Sequence, residues 1–149
     1  MQARINAVTA SPSAYAALLA LENFVKKSTR LEASLIELVK MRASQINGCA
    51  FCIDMHSKDA RSKGETEQRL YALSAWAEAP FFTAREQAAL AWTESVTLVS
   101  VDHVPDAIYE RARSQFNDQE LVNLTVVIGT INAWNRLAVA FRFVPGESA

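Results

Sequence analysis

The stretch LVNLTVVIGTINAWNRLAVAF, Leu121 to Phe141, decides the fold class. Its first half, Leu121 to Ile131, is rich in valine, isoleucine and threonine and has strand-like propensity. It runs on into Asn132–Phe141 without interruption, and a segment this long is a helix rather than a strand. No other part of the chain alternates apolar and polar residues with a period of two. The expected class is therefore all-α.

This final helix is apolar nearly all the way round. A membrane span is excluded at this level because Asn123, Thr125, Asn132, Asn135 and Arg136 break the run short of about 20 apolar residues. A helix with no polar face is normally buried on every side. It is either the centre of a monomeric bundle or, in so small a protein, partly covered by a neighbouring subunit.

Helix punctuation places the remaining elements. Ser11-Pro12 reads as an N-cap with proline at the first helical position, opening a helix to about Lys27. Thr29-Arg30-Leu31-Glu32 reads as a capping box for a helix to about Asn47, which Gly48 ends in a left-handed conformation. A helix from about Cys49 to Gly64 follows, then one opened by Thr66 and closed before Pro80. Thr83-Ala84-Arg85-Glu86 is a second capping box, for a helix through Trp92 towards Ser100. Pro105 starts a shorter helix, and Asp118 caps the last, which reaches about Arg142. The expectation is one domain over residues 1–149, a bundle of about six to seven helices.

Composition agrees with this. The chain has 149 residues, half of them hydrophobic, with only four glycines and four prolines. Such a length buries a substantial core. Fifteen basic residues against sixteen acidic ones give a formal charge of −1, with no basic block. Nucleic acid and anionic membranes are thus not expected partners. The N-terminal MQARINAVTA lacks the apolar run of a secretory signal, so a cytoplasmic location is expected.

Both cysteines of the chain, Cys49 and Cys52, and one of its two histidines, His56, fall in INGCAFCIDMHSKDA, Ile46 to Ala60. At 100° per residue Cys49, Cys52, Ile53, His56 and Ala60 share one helical face, and Asp54, Ser57, Lys58 and Arg61 share the other. Helical side chains lean towards the N-terminus, so His56 leans back over Cys52. Both thiols also sit where the helix dipole favours an anion. That effect is about 0.3–1 kcal/mol, less than one pKa unit at about 1.36 kcal/mol per unit. Bringing a thiol from about 8.5 to neutrality requires more, and His56 is the base in reach.

Several chemistries compete for this pair. A c-type haem needs histidine directly after the second cysteine, where Ile53 stands, and a thioredoxin-like site would follow a strand. Cys49, Cys52, His56 and one carboxylate could make four zinc ligands, although no second Cys/His pair exists and His103 is isolated. A disulfide across one helical turn closes too small a loop to be a structural staple. A redox couple and a metal site both stay open on spacing alone.

With Glu37 included, the spacing is E-x11-C-x-x-C-x3-H: Glu37, Cys49-Ala50-Phe51-Cys52 and His56. This resembles the alkylhydroperoxidase, AhpD-like, members of the carboxymuconolactone decarboxylase superfamily. The resemblance covers about Leu31 to Gly64, and INAWNRLAVAFR, Ile131 to Arg142, is similar to the peroxidase-related branch. It implies an all-helical subunit that assembles as trimers or hexamers and reduces a hydroperoxide substrate without haem, metal or other cofactor. It also implies Cys52 as the attacking thiol, Cys49 as the resolving one, His56 with Glu37 as proton relay, and a dithiol or protein reductant. The decarboxylase branch lacks the cysteine pair. The best-known peroxidase has a further histidine between its cysteines, where this chain has Phe51. A redox-sensing or scaffolding oligomer, whose thiol pair oxidises without turnover, is the alternative from another class.

Pattern and resemblance disagree over Glu37. Its helix carries the apolar stripe Leu31, Leu35, Leu38, Val39 and Ile46, and Glu37 lies nearly opposite, which reads as a solvated position. Only the spacing to Cys49 promotes it. Membership of the site requires that the returning Cys49 helix or another subunit cover that face. Phe51 and Met55, on neither the cysteine face nor the charged face, add a second apolar patch.

Overall fold

The computed structural model describes residues 2–146. Its helices are α1 (Ala7–Ala10), α2 (Pro12–Lys27), α3 (Ala33–Asn47), α4 (Ala50–Ser62), α5 (Glu67–Ala72), α6 (Ala84–Thr97), α7 (Val99–Asp102), α8 (Asp106–Arg113) and α9 (Asp118–Phe141), with a 3₁₀ turn at Leu73–Ala75 after α5. Among the described residues there is no strand, so the all-α class holds. The seven expected segments are present. The surplus consists of the single-turn helices α1 and α7 and the 3₁₀ turn, which are too short to show periodicity in a sequence.

Three helix starts differ in detail from the sequence reading. Thr29 caps nothing: it is buried, and its Oγ1 donates to the Val25 carbonyl, closing α2 instead of opening α3. The chain then turns through Arg30, at φ 58°, and α3 starts only after Glu32, whose carboxylate pairs with Arg85 at 2.8 Å. At α9 the cap is Asn117, one residue earlier than Asp118, with a reciprocal bond between its own N–H and Glu120. Ser11 holds the N-cap position of α2 without a side-chain bond. The Thr83–Glu86 capping box forms as expected, with both bonds present.

The helix at the centre of the bundle is α3, not α9. It packs against α4, α6 and α9, and every residue from Leu35 to Met41 is buried, as are Ala43 and Ser44. Its polar side chains go inward because each meets a partner on another element: Glu37 on α4, Lys40 on α2, and Ser44 on α9 through Asn135 Nδ2 at 3.0 Å. Buried polar groups persist only when paired in this way. By contrast α9 buries Leu121, Leu124, Val127, Ile128, Ile131 and Ala138 but exposes Val122 and Val139. Among the described residues α9 alone is long and apolar enough to cross a membrane, because its few polar residues do not interrupt it enough. Here they serve the interior: Asn47 Nδ2 donates to both Asn132 Oδ1 and Asn135 Oδ1, tying α3 to α9.

Candidate active site

The link between α3 and α4 sets the position of the cysteines. Gly48 adopts φ 66°, and the Cys49 N–H bonds back to the Ser44 carbonyl at 3.0 Å, a Schellman closure that only a left-handed residue permits without strain. The Cys49 carbonyl then accepts from Ile53 N–H and starts α4. Cys49 is therefore the N-cap of α4 and not a member of its first turn; its Sγ accepts from the Cys52 backbone N–H at 3.3 Å. Cys49 and Cys52 are joined as a disulfide. Both are buried, in a small apolar cluster with Ala43, Ile131 and Ala138.

One helical turn beyond Cys52, His56 is buried with its Nδ1 2.9 Å from Glu37 Oε2. The hairpin folds α4 back over α3 and covers the face that pattern alone assigns to solvent, so Glu37 is 2% exposed. The solvated reading of Glu37 is thus overturned. Its other oxygen, Oε1, accepts from Lys63 Nζ at 2.5 Å. Burial pushes the Glu37 pKa up, but hydrogen bonds and charge from His56 and Lys63 more than offset this and hold it at about 2. The carboxylate is therefore ionised, and it fixes the proton of His56 on Nδ1. Nε2 is left as the nitrogen available for proton exchange.

Cys52 and His56 line a cavity of about 460 Å³, whereas Cys49 and Glu37 stand behind its wall. Helix α2 contributes Tyr15, Leu19, Glu22 and Lys26 to its lining, and Trp134, Ala138 and Phe143 also line it. Phe51 and Met55 belong to the same wall, which accounts for the second apolar patch on α4. The Phe51 ring meets Phe143 edge to face at 5.4 Å, and Tyr15 meets Trp134 at 5.3 Å. A volume of this order, mostly apolar with a few polar groups, suits a small organic ligand.

The structure brings together all four residues singled out from sequence, and adds others. Lys63, seven residues after His56 and so on nearly the same helical face, is the one a spacing rule could have found. Lys40, Glu22 and Tyr15 carry no such signal, because their proximity depends on how α2 docks. Asp59, one turn after His56, also lines the cavity, and its carboxylate, Glu37 and His56 have ligand atoms within 4.8 Å of one another. That set does not fit a cation: both Glu37 oxygens are engaged, one of them by the Lys63 ammonium. Among the described residues the sulfurs are absent from the cluster, so the alternative Cys49, Cys52, His56 and carboxylate ligand set does not assemble.

Comparison with known proteins identifies relatives and a family. The chain is 42% identical to the uncharacterized protein YdfG of Bacillus subtilis (strain 168) over 140 residues, 94% of this chain and 95% of that protein. A protein of unknown function from Agrobacterium tumefaciens, described as a candidate antioxidant defence protein AhpD, superposes with a TM-score of 0.95 at 47% identity, covering 99% of this chain and 100% of that one. An uncharacterized peroxidase-related protein from Silicibacter sp. TM1040 superposes with a TM-score of 0.79 at 27% identity, covering 88% and 69% of the two chains. Residues 12–95, which hold the α3–α4 hairpin and all four site residues, match the carboxymuconolactone decarboxylase family, and the chain belongs to it.

Proposed function

We propose that the protein is a thiol-dependent peroxidase in which Cys52 attacks, Cys49 resolves, and His56 with Glu37 moves the proton. The observation that carries this reading is the buried Glu37–His56 hydrogen bond behind a cavity that Cys52 lines and Cys49 does not. In the reduced protein His56 Nε2 takes the Cys52 proton. The thiolate attacks the terminal oxygen of the hydroperoxide, an S–O bond forms and the O–O bond breaks. The leaving alkoxide receives the proton from His56 and departs as an alcohol. Cys52 is then a sulfenic acid; the Cys49 thiolate attacks its sulfur and expels hydroxide, which leaves as water once protonated. The resulting disulfide is the state seen here. An external dithiol reopens it by exchange and is itself oxidised.

The buried, ionised Glu37 supports the relay because it stabilises the imidazolium formed when His56 holds the proton. Phe51 makes this cavity wall apolar where the best-known relative of the resemblance carries a second histidine, so His56 is the single imidazole of the relay. Consumption of an organic hydroperoxide by wild type and by Cys49→Ser and Cys52→Ser, with several dithiol donors, tests the reading. Catalytic consumption by the wild type, lost in both variants, supports it. One equivalent consumed with no dithiol sustaining turnover would identify a redox sensor instead.

A further inference from the structure

The Glu37–His56 pair has a third member that the proposed chemistry does not use. Lys63 is the C-cap of α4, with its N–H bonded to the Asp59 and Ala60 carbonyls. Its side chain reaches across to α3, where Nζ donates to Glu37 Oε1 at 2.5 Å, while His56 holds Oε2. The members differ in exposure: Glu37 and His56 are buried, and the Lys63 side chain is 42% exposed. A buried carboxylate stays ionised only with a counter-charge beside it. Two groups can supply that charge here, and only one of them has to react. If Lys63 supplies it, His56 is neutral at rest and its Nε2 can accept a proton. If His56 had to supply it, the ring would already hold the proton it is meant to take.

We propose that Lys63 is a positioning residue for the relay: as the standing counter-ion of Glu37 it leaves His56 neutral, and therefore a base, near neutral pH. As a statement about catalysis this rests on the peroxidase reading above; as a statement about the charge of His56 it does not. Among the described residues Lys63 is the one cation besides the His56 ring that is bonded to Glu37. The charges on the surrounding elements do not take over its task. On α4, Lys58 is paired with Asp54 at 2.7 Å, and Asp59, within 4.8 Å of Glu37 and His56, adds a further negative charge that favours a protonated ring. Lys40 of α3 and Lys26 of α2 both pair with Glu22, and Arg42 of α3 pairs with Glu94 of α6. Helix α9 brings the neutral Asn132 and Asn135 to the hairpin, and its Arg136 donates to Asn132. Burial raises the pKa of Glu37, and the bonds from His56 and Lys63 bring it to about 2, so the carboxylate keeps its charge near neutrality. Without Lys63, the demand for a counter-charge falls on His56.

NMR of the oxidised protein tests the proposal apart from turnover. The chain has two histidines, so the ring signals of His56 can be followed against pH with His103, on the turn after α7, as internal reference. In Lys63→Met the midpoint of the His56 titration should rise by about half a pH unit or more relative to wild type, as expected for removal of one partly screened charge. The His103 midpoint should not move. Lys63→Arg keeps the charge and the donors and should restore the wild-type midpoint. In the reduced protein the acid limb of cumene hydroperoxide consumption should move upward in Lys63→Met, because His56 must lose its own proton before it accepts that of Cys52. An unchanged or lowered His56 midpoint in Lys63→Met overturns the proposal. So does an equal rise in Lys63→Arg, which would trace the effect to packing, or a raised midpoint with an unmoved acid limb in an active enzyme. A raised midpoint with no peroxide consumption by the wild type removes the peroxidase reading and leaves Lys63 as the counter-ion. Consumption with an unchanged midpoint removes only the role of Lys63.

Discussion

His56 Nδ1 lies 2.9 Å from Glu37 Oε2, and the two buried residues are nineteen positions apart on helices joined by a single left-handed glycine. The turn at Gly48 lays α4 over α3 and converts an outward-looking glutamate into the partner of an inward-looking histidine. His56, together with Lys63 on the second oxygen, keeps the carboxylate ionised in an environment that would otherwise protonate it.

Glu37→Gln should therefore lower the rate of peroxide reduction by roughly 10²-fold, within the range for loss of assisted proton transfer. The neutral amide no longer stabilises the imidazolium. The alkylation rate of the reduced protein, followed against pH, should shift its midpoint upward. Unchanged alkylation and turnover would reduce Glu37 to a structural residue.

The same carboxylate predicts a pH dependence of stability. Its folded pKa, about 2, lies below the ordinary 4.5, so folding favours the ionised form. The stabilisation is complete above about pH 4.5 and is lost as the pH falls towards 2. It amounts to at most about 3 kcal/mol at about 1.36 kcal/mol per unit. Urea unfolding between pH 5 and pH 2 should show this loss in the wild type and a flatter profile in Glu37→Gln.

Access divides the labour of the cysteines. In Cys49→Ser, Cys52 should react once with peroxide and persist as a sulfenic acid that a dimedone-type trap captures. In Cys52→Ser, Cys49 should react slowly, since it lies behind the cavity wall. Position still favours Cys49 as an anion, because it is the N-cap and accepts the Cys52 N–H. Mass spectrometry of the trapped proteins separates the two effects; rapid trapping on Cys49 with Cys52 inert would reverse the assignment.

A homo-oligomer is the expected solution state. Val122 and Val139 on α9 are 63% and 50% exposed, and α2 leaves Leu19, Leu21 and Phe24 exposed while burying Val25. Apolar side chains left exposed on these two packed helices offer a surface for association. Light scattering should give a multiple of the 16.4 kDa chain mass; a stable monomer at micromolar concentration would contradict the prediction.

The two capping boxes expected from sequence, one formed and one not, offer a purely local check. Thr83→Ala removes a real cap and should cost about 1 kcal/mol. An engineered Glu32→Ala should leave the start of α3 intact, because no reciprocal bond from Thr29 exists there. Its effect should be confined to the lost ion pair with Arg85, about 0–1 kcal/mol for a surface pair.

Local chemistry was legible in the sequence wherever neighbours along the chain decide it. Gly48, Thr66, Thr83 and Pro105 mark helix ends because caps and left-handed turns depend on a few adjacent residues. The shared face of Cys52 and His56 follows from helical spacing alone. Long-range pairing was not legible. From pattern α3 is an amphipathic surface helix and α9 a fully buried one, yet α3 is central and α9 keeps an exposed strip. The reason is that Glu37, Lys40 and Ser44 can be buried only if His56, Glu22 and Asn135 arrive from other elements to meet them. Those partners lie 19, 18 and 91 residues away. Periodicity scores each side chain by its own polarity. Tertiary packing decides whether that polarity is satisfied.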